Sequence, residues 1–141
     1  MNRFSSYFAS SRSSVNAGLL FLRISASLLL LAVHGWPKFA HYTAQLQEIE
    51  DPFSLGRQFS LWFALFVEVI CPPAIMLGVL TRLAVLPVVI LLLVAMLAVH
   101  PDWSLAQGQF GWLLLIAFGS LLIAGPGDWS VDARCGRVVL R

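Results

Sequence analysis

The stretch LWFALFVEVICPPAIMLGVL, residues 61–80, is apolar over its whole length except for one carboxylate, Glu68. A run of about 20 apolar residues in helical form spans the hydrocarbon core of a bilayer. A helix is the natural form for such a segment in lipid, because it satisfies its own backbone hydrogen bonds. Residues 61–80 therefore predict a membrane-spanning helix that carries a single acidic group.

The composition of the whole chain indicates the same class of protein. Of its 141 residues, 59% are hydrophobic and 11% are charged, whereas a soluble domain carries about 25% charged residues. A chain this apolar cannot cover its own surface with polar groups. Three more apolar runs, at about 17–36, 83–99 and 109–125, predict three more spans. The predicted fold is an all-α, antiparallel, integral membrane four-helix bundle.

The distribution of basic residues predicts how the bundle is oriented. The predicted bundle covers residues 17–125, between an N-terminal segment, 1–16, and a tail, 126–141. Cytoplasmic segments of membrane proteins carry an excess of Lys and Arg, so the side with more basic residues is assigned to the cytoplasm, together with both termini. The net charge of +2, without a basic patch, gives no indication of nucleic-acid binding. Six arginines fall on the side of the termini, against Lys38 and Arg57 on the other: Arg3, Arg12, Arg82, Arg134, Arg137 and Arg141.

The longer predicted loop, residues 37–60, contains a helical pattern. Phe39, Tyr42, Leu46 and Ile49 recur at spacings of three and four residues, which is typical of one apolar helical stripe. The pattern predicts a short interfacial helix between spans one and two. A helix packed as a cap over the mouth of the bundle fits it equally well.

Arg23 and Glu68 are the two formal charges well inside the predicted spans. Charged residues at membrane depth face the bundle interior and have partners, and counting about 1.5 Å per residue puts these two within about 9 Å in depth. Two interpretations are open: an ion pair that fixes the packing of spans one and two, or a proton-handling carboxylate beside a bound cofactor. Pro72-Pro73 predicts a kink one turn after Glu68.

A second polar group lies at the ends of three spans. His34 and Lys38 close span one, His100 closes span three and Gln109 opens span four. In an antiparallel bundle they share one membrane depth and can line one cavity. Histidines on neighbouring helices can hydrogen-bond a quinone carbonyl or hold a transition metal, although only His41 offers itself as a third ligand. The alternative is an ordinary set of polar residues at the water interface.

Three segments, in order, resemble one known family. They are FLRISASLLLLAVHGWPKF in span one, FVEVICPPAIMLGVLTRLAV in span two, and GPGDWSVDA at residues 125–133. Together they are similar to the DoxX family of small four-helix bacterial membrane proteins, whose relatives are described as subunits of a thiosulfate:quinone oxidoreductase or as partners of redox-stress or metal-handling proteins. The resemblance implies a location in the bacterial inner membrane. Gln109 stands where members often carry an acidic residue.

The resemblance implies a quinone-associated redox subunit of a respiratory, sulfur or stress-redox system. Quinone is then the expected cofactor, with a partner protein subunit or a second copy of the chain beside it in the bilayer. Two alternatives stay open. One is a non-enzymatic scaffold that docks a partner enzyme through the 39–49 helix or the tail, and the other is metal handling by His34, His41 and His100. Whether the chain is itself an enzyme is also open. The candidate cofactor-binding residues are Glu68, Arg23, His34, Lys38, His100 and Gln109.

Overall fold

The computed structural model describes residues 11–139, with side chains described as far as residue 135. Four of its helices, at residues 12–40, 57–77, 81–99 and 105–124, are long and apolar enough to cross a membrane. The all-α fold and the four-helix membrane bundle are therefore confirmed. Arg3, Arg141 and the side chain of Arg137, which contributed to the predicted orientation, lie outside the described part. The helices are α1 (Arg12–Ala40), α2 (Tyr42–Glu48), α3 (Arg57–Leu77), α4 (Thr81–Val99), α5 (Leu105–Ala124) and α6 (Val131–Val139).

Two of the spans begin at polar caps that lie before the apolar runs. The side chain of Ser11 accepts a hydrogen bond from Ser14 N–H, so α1 begins at Arg12 instead of near residue 17. Ser104 and Gln107 form a capping box, so α5 begins at Leu105 instead of 109. Such caps satisfy backbone N–H groups that a first helical turn leaves unpaired. Hydrophobicity marks the part of a helix that lies in lipid, and the helix itself is longer.

The core of the bundle is apolar, and so is much of its outer surface. Leu30, Val67, Val88 and Phe118 are 0–1% exposed, and they belong to one hydrophobic cluster that includes all four spans. Large apolar side chains also point outwards, including Phe21 at 73% and Ile123 at 81% exposure. An outer surface of this kind needs lipid around it. The chain is a multi-pass membrane protein.

Three wide π-helical turns interrupt the spans, and each one ends two residues before a proline. In a regular α-helix, proline supplies no N–H group and its ring collides with the carbonyl four residues earlier. A π turn widens the helix at that point, so α1 continues through Pro37 and α3 through Pro72, whereas α4 ends at Val99, before Pro101. The kink predicted at Pro72-Pro73 takes this form, and α3 runs on to Leu77. The turns are Leu31–Gly35 before Pro37, Phe66–Ile70 before Pro72, and Ala95–Val99 before Pro101.

Candidate functional site

Glu68 is buried in the π turn of α3 and forms a two-point ion pair with Lys38. Lys38 Nζ donates to Glu68 Oε2 at 2.7 Å and to Oε1 at 2.9 Å. The side chain of Lys38 is 20% exposed and that of Glu68 is 7% exposed. The sequence suggested Arg23 as the partner of Glu68, and this was wrong. Arg23 makes its hydrogen bonds elsewhere, at the other end of α1.

Lys38 reaches Glu68 because α1 is longer than the sequence predicted. The predicted span ended at Trp36, which placed Lys38 in a loop. In the structure the π turn at Leu31–Gly35 accommodates Pro37, and α1 continues to Ala40. Lys38 is therefore a helical residue in the last turn of a membrane span, with its side chain directed against α3.

The backbone around Glu68 is as unusual as its side chain. The carbonyl of Glu68 would accept from residue 72 in an α-helix and from residue 73 in a π-helix, and both are prolines without an N–H group. Gly35 of α1 packs against this same carbonyl, so closely that a Cβ at position 35 would collide with Glu68 O and C. A Cα–H group in such a position is a weak donor to a carbonyl. Gly35 and the two prolines thus hold α1 and α3 together at the level of the ion pair.

The same π turn explains why His34 does not line the interior. Ser27 and Leu30 are buried on the inner face of α1, and in a regular helix residue 34 would follow them on that face. A π turn contains one extra residue and so rotates the rest of the helix by about 100°. Gly35 is therefore buried, and His34 is exposed on the side of α1. The predicted inward position of His34 was wrong.

His100 and Gln109 are also apart from the ion pair. The ring of His100 stacks on Trp103, with centroids 3.8 Å apart and an interplanar angle of 4°. Gln109 is exposed on α5. Within residues 11–135, no hydrogen bond or ion pair joins His34, His100 and Gln109, and His34 and Gln109 are both exposed. Of the six predicted site residues, the structure unites Lys38 and Glu68.

The structure gives the metal-handling alternative no cluster to use. Among the described residues, no three His, Cys, Asp or Glu side chains come together in a way that could hold a metal ion. His34 precedes and His41 follows the short helical turn Trp36–Ala40 in sequence, and His100 is stacked on Trp103.

Arg23 binds a segment at the C-terminal end of the bundle, which we call the clasp and define as residues 125–133. Arg23 is 1% exposed, and its two terminal nitrogens donate to the carbonyls of Pro126 at 2.6 Å and Trp129 at 2.9 Å. Gly78, at the end of α3, leaves the room for this contact. It adopts the left-handed backbone conformation, and a Cβ there would lie 2.7 Å from Arg23 Nη1. Because Gly78 follows Glu68 by ten residues, the guanidinium is about 15 Å from the ion pair along the helix.

Asp132 of the clasp caps the first turn of α4 from a distance in sequence. Its carboxylate accepts from Leu80 N–H at 2.7 Å, from Thr81 N–H at 2.8 Å and from the Thr81 hydroxyl at 2.8 Å. These bonds hold Leu80 in a left-handed conformation, with φ of 45°, that leucine seldom adopts. Burial alone would raise the pKa of Asp132. The hydrogen bonds from Thr81 and Leu80, with the charge of Arg23, hold that pKa below its usual value instead.

The clasp is also bound to the first turns of α1. Asp128 accepts from Arg12 Nε at 2.7 Å and from Asn16 Nδ2 at 2.9 Å, and its own N–H donates to Asn16 Oδ1. The predicted tail, 126–141, therefore does not start as a free segment, because residues 126–132 are hydrogen-bonded to the bundle. This limits its use as the docking surface of a scaffold.

Comparison with protein families identifies one match. The family model described as DoxX matches residues 18–101. The matched region runs from α1 to the end of α4 and includes Arg23, Lys38 and Glu68, whereas the clasp lies beyond it. Comparison with curated proteins and with solved structures found no match.

Proposed function

The chain belongs to the DoxX family, and from that premise we propose that it is the quinone-binding membrane subunit of a respiratory, sulfur or stress-redox system. The observation that carries the proposal is the Lys38–Glu68 pair, a buried carboxylate held at two points by one ammonium group inside a membrane bundle. Ionisable residues at membrane depth are costly, and they commonly mark ligand sites or proton relays.

The donors and acceptors of the pair fit a quinone head group. An ammonium group has three N–H donors, and two of those of Lys38 go to the oxygens of Glu68. The third N–H can donate to a carbonyl oxygen of a quinone. The carboxylate of Glu68 can accept from the hydroxyl group of the corresponding quinol. One pair therefore offers a partner for both redox forms of the ligand.

The surroundings of the pair suit a ligand that is dissolved in lipid. Trp36, two residues before Lys38, is 61% exposed, and Phe66 and Ile70 on either side of Glu68 are 49% and 60% exposed. These side chains face the bilayer, because they lie in membrane-spanning helices. A quinone can approach along this apolar surface without leaving the membrane, which favours lateral access between α1 and α3.

A bound quinone takes up two electrons and two protons to become a quinol. The electrons in this proposal come from a partner subunit that carries a redox centre, since the residues described here offer only two separate cysteines, Cys71 and Cys135. Lys38 orients the carbonyl oxygen, and Glu68 holds and passes the protons. In this scheme the chain supplies the ligand site and the proton path, and its partner supplies the reducing equivalents.

We also propose that the clasp faces the cytoplasm of a bacterial cell and that the bundle lies in the inner membrane. Arg12, Arg82 and Arg134 lie at the clasp end of the described bundle, whereas Arg57 and Lys38 lie at the other end. Lys38 is neutralised there by Glu68. An excess of basic residues at one end supports a cytoplasmic position for that end.

The test is the quinone content of gently purified protein, measured by mass spectrometry of organic extracts. We compare the wild type with Glu68→Gln and Lys38→Met, and we use Glu48→Gln as the matched control. Glu48 belongs to the exposed helix α2, where it contacts Gln45, so its replacement changes the same chemical group away from the pair.

The expected result is a quinone in the wild type and in Glu48→Gln, and its loss from both variants of the pair while they remain folded. The same quinone content in all four proteins would place the ligand elsewhere and overturn the proposed role of Lys38 and Glu68. A wild type that contains no quinone, and that takes up none when ubiquinone or menaquinone is added, would overturn the proposed function.

A further inference from the structure

We infer that the Lys38–Glu68 pair exchanges protons with only one face of the membrane. That face is the loop end of the bundle, formed by residues 41–56 and 100–104, which lies opposite the clasp end. The inference concerns the same two residues as the proposed function, but it does not require a quinone. It follows from the way in which the polar groups inside the bundle are divided.

The buried polar side chains form two separate groups in the bundle. Glu68 lies near the middle of α3, and Lys38 reaches it from the loop end of α1. The others belong to the clasp end or lie within one helical turn of Arg23. Counting about 1.5 Å per residue along α3, Glu68 is about 15 Å from Gly78, which Arg23 contacts. The buried polar residues away from the pair are Asn16, Arg23, Ser27, Thr81 and Ser130.

An apolar layer fills the space between the two groups. Leu30 of α1 is 1% exposed, and Ile75 of α3, Val88 of α4 and Phe118 of α5 are each 0% exposed. Interiors lined by such side chains stay dry, because water finds no polar partners there. A proton cannot cross this layer without water or a chain of titratable groups.

Few titratable groups are available to carry a proton through the layer. In sequence, α4 contains one titratable residue, Arg82 at its clasp end, and α5 contains none. Cys71 of α3 lies one turn from Glu68 towards the clasp, but it is a member of the apolar cluster. The only other titratable residue of α1 near the pair is His34, which is one turn from Lys38 and exposed on the outside of the helix. None of these groups connects Glu68 to the clasp end.

Towards the loop end, Leu61 and Ala64 on the same face of α3 are also buried, at 0% and 4% exposure, and the partly exposed group beside Glu68 is Lys38. The side chain of Lys38 is more exposed than that of Glu68, 20% against 7%. Lys38 is also two residues from the end of α1 at Ala40, where the chain enters the loop. Asp51 of that loop is engaged outside the bundle, where it accepts hydrogen bonds from Leu55 and Gly56 before α3. Water at the loop end therefore reaches the ammonium group first, and the carboxylate through it.

The consequence is that this bundle does not conduct protons across the membrane. A proton taken up or released by Glu68 comes from, or returns to, the loop side. If the pair handles the protons of a quinone, their release and uptake have a fixed side, set by the chain itself.

The inference is tested with quinone-free protein in sealed vesicles of uniform orientation. A membrane-impermeant maleimide checks the orientation through Cys135, which is exposed near the clasp, whereas Cys71 is buried. The pH is lowered stepwise on one side at a time, and a dye inside the vesicles confirms that the gradient holds. Infrared spectroscopy detects the carbonyl band of a protonated carboxyl group, and Glu68→Gln identifies the band that belongs to Glu68.

We expect the Glu68 band to appear when the loop side is acidified and to stay at baseline when the clasp side is acidified to the same pH. An equal response from the clasp side would overturn the inference, and so would a pair that responds to neither side. Because no quinone is present, either failure leaves the proposed function to be judged on its own test. Quinone binding could fail in turn while the one-sided proton exchange remains.

Discussion

Gly35 of α1 packs directly against the backbone carbonyl of Glu68 in α3. A side chain at position 35 would overlap that carbonyl, and Pro72 and Pro73 supply it with no helical N–H group. The closest approach of the two helices is therefore located at the residue that carries the buried charge. Whatever the pair binds, its geometry depends on a backbone contact that only glycine permits.

The Gly35 contact predicts a large difference between two Gly→Ala substitutions in the same helix. Gly35→Ala forces α1 and α3 apart, and overpacking of this kind lowers the free energy of unfolding by about 1–3 kcal/mol. Gly18→Ala is the control, because a Cβ at position 18 meets nothing within 4 Å, and alanine favours the helix by about 0.5–1 kcal/mol over glycine. The measurement is thermal unfolding in detergent. Equal melting temperatures for the two variants would contradict the contact.

Arg23 and Arg12 both bind the clasp, yet we expect their loss to have unequal effects. Arg23 is buried, so Arg23→Met leaves the partly buried carbonyls of Pro126 and Trp129 without this donor, and a buried group without its partner costs about 1–3 kcal/mol. Arg12 has a side chain that is 86% exposed, and surface ion pairs contribute about 0–1 kcal/mol.

Hydrogen exchange detected by mass spectrometry reports on the clasp directly. In Arg23→Met the amides of residues 126–132 and of 78–81 should exchange faster, because Asp132 connects the two segments. In Arg12→Met exchange at 78–81 should stay close to that of the wild type. If both variants released the two segments to the same extent, Arg23 would not be the group that holds the clasp.

The sequence predicted the spans well and the partners of the charged residues poorly. Apolar length alone identified four helices, because lipid requires it. Arg23 was matched to Glu68 by sign and approximate depth, but a guanidinium that can reach backbone carbonyls needs no carboxylate. The segment GPGDWSVDA was recognised as a motif, and its role as a partner of Arg23 became visible only in three dimensions.

Lys38 and His34 were misplaced for a single physical reason. Periodicity assumes a regular α-helix, and a proline is then taken to end it. The π turn before Pro37 both extends α1 and shifts its register by one residue, so Lys38 enters the bundle and His34 leaves it. The signal is present in the sequence, since all three π turns of the described spans precede a proline, but it indicates a wide turn only once the structure is known.

The carboxylate of Asp132 makes the stability of the clasp dependent on pH. Its pKa is lower in the folded protein than its usual value, about 3.9 in an unfolded chain, so the folded state gains stability where the carboxylate is ionised. That contribution is complete above the unfolded pKa and is lost as the pH falls through the folded pKa. Asp132→Asn should therefore melt at a lower temperature than the wild type near neutral pH. The loss of this helix cap lowers the free energy of unfolding by about 1 kcal/mol.

The difference should shrink in acid, because protonation weakens the same cap in the wild type. The test is to measure the melting temperatures of the two proteins from pH 7 down to about pH 3, a range that includes the pKa of Asp in an unfolded chain. Asp102→Asn, at an exposed position in the loop before α5, serves as the control and should follow the wild type throughout. A difference between Asp132→Asn and the wild type that is the same at every pH would show that the ionised carboxylate is not the source of the stabilisation.

The Lys38–Glu68 pair should behave differently when one partner is removed than when both are. Removing one partner leaves a buried charge without compensation, at a cost of about 3–5 kcal/mol, whereas replacing both with neutral groups of similar size is often nearly neutral. Lys38→Met and Glu68→Leu alone should therefore lower the free energy of unfolding sharply, and the double variant should recover most of the loss. Chemical unfolding of the four proteins in detergent gives the coupling energy. A double variant whose loss of unfolding free energy equals the sum of the losses in the two single variants would contradict a directly coupled pair.

The quinone content of the double variant separates two roles of the pair. A double variant that is stable but retains full quinone content would assign the pair to holding the bundle together. One that is stable and free of quinone would separate the ligand site from the fold, because stability no longer explains the loss.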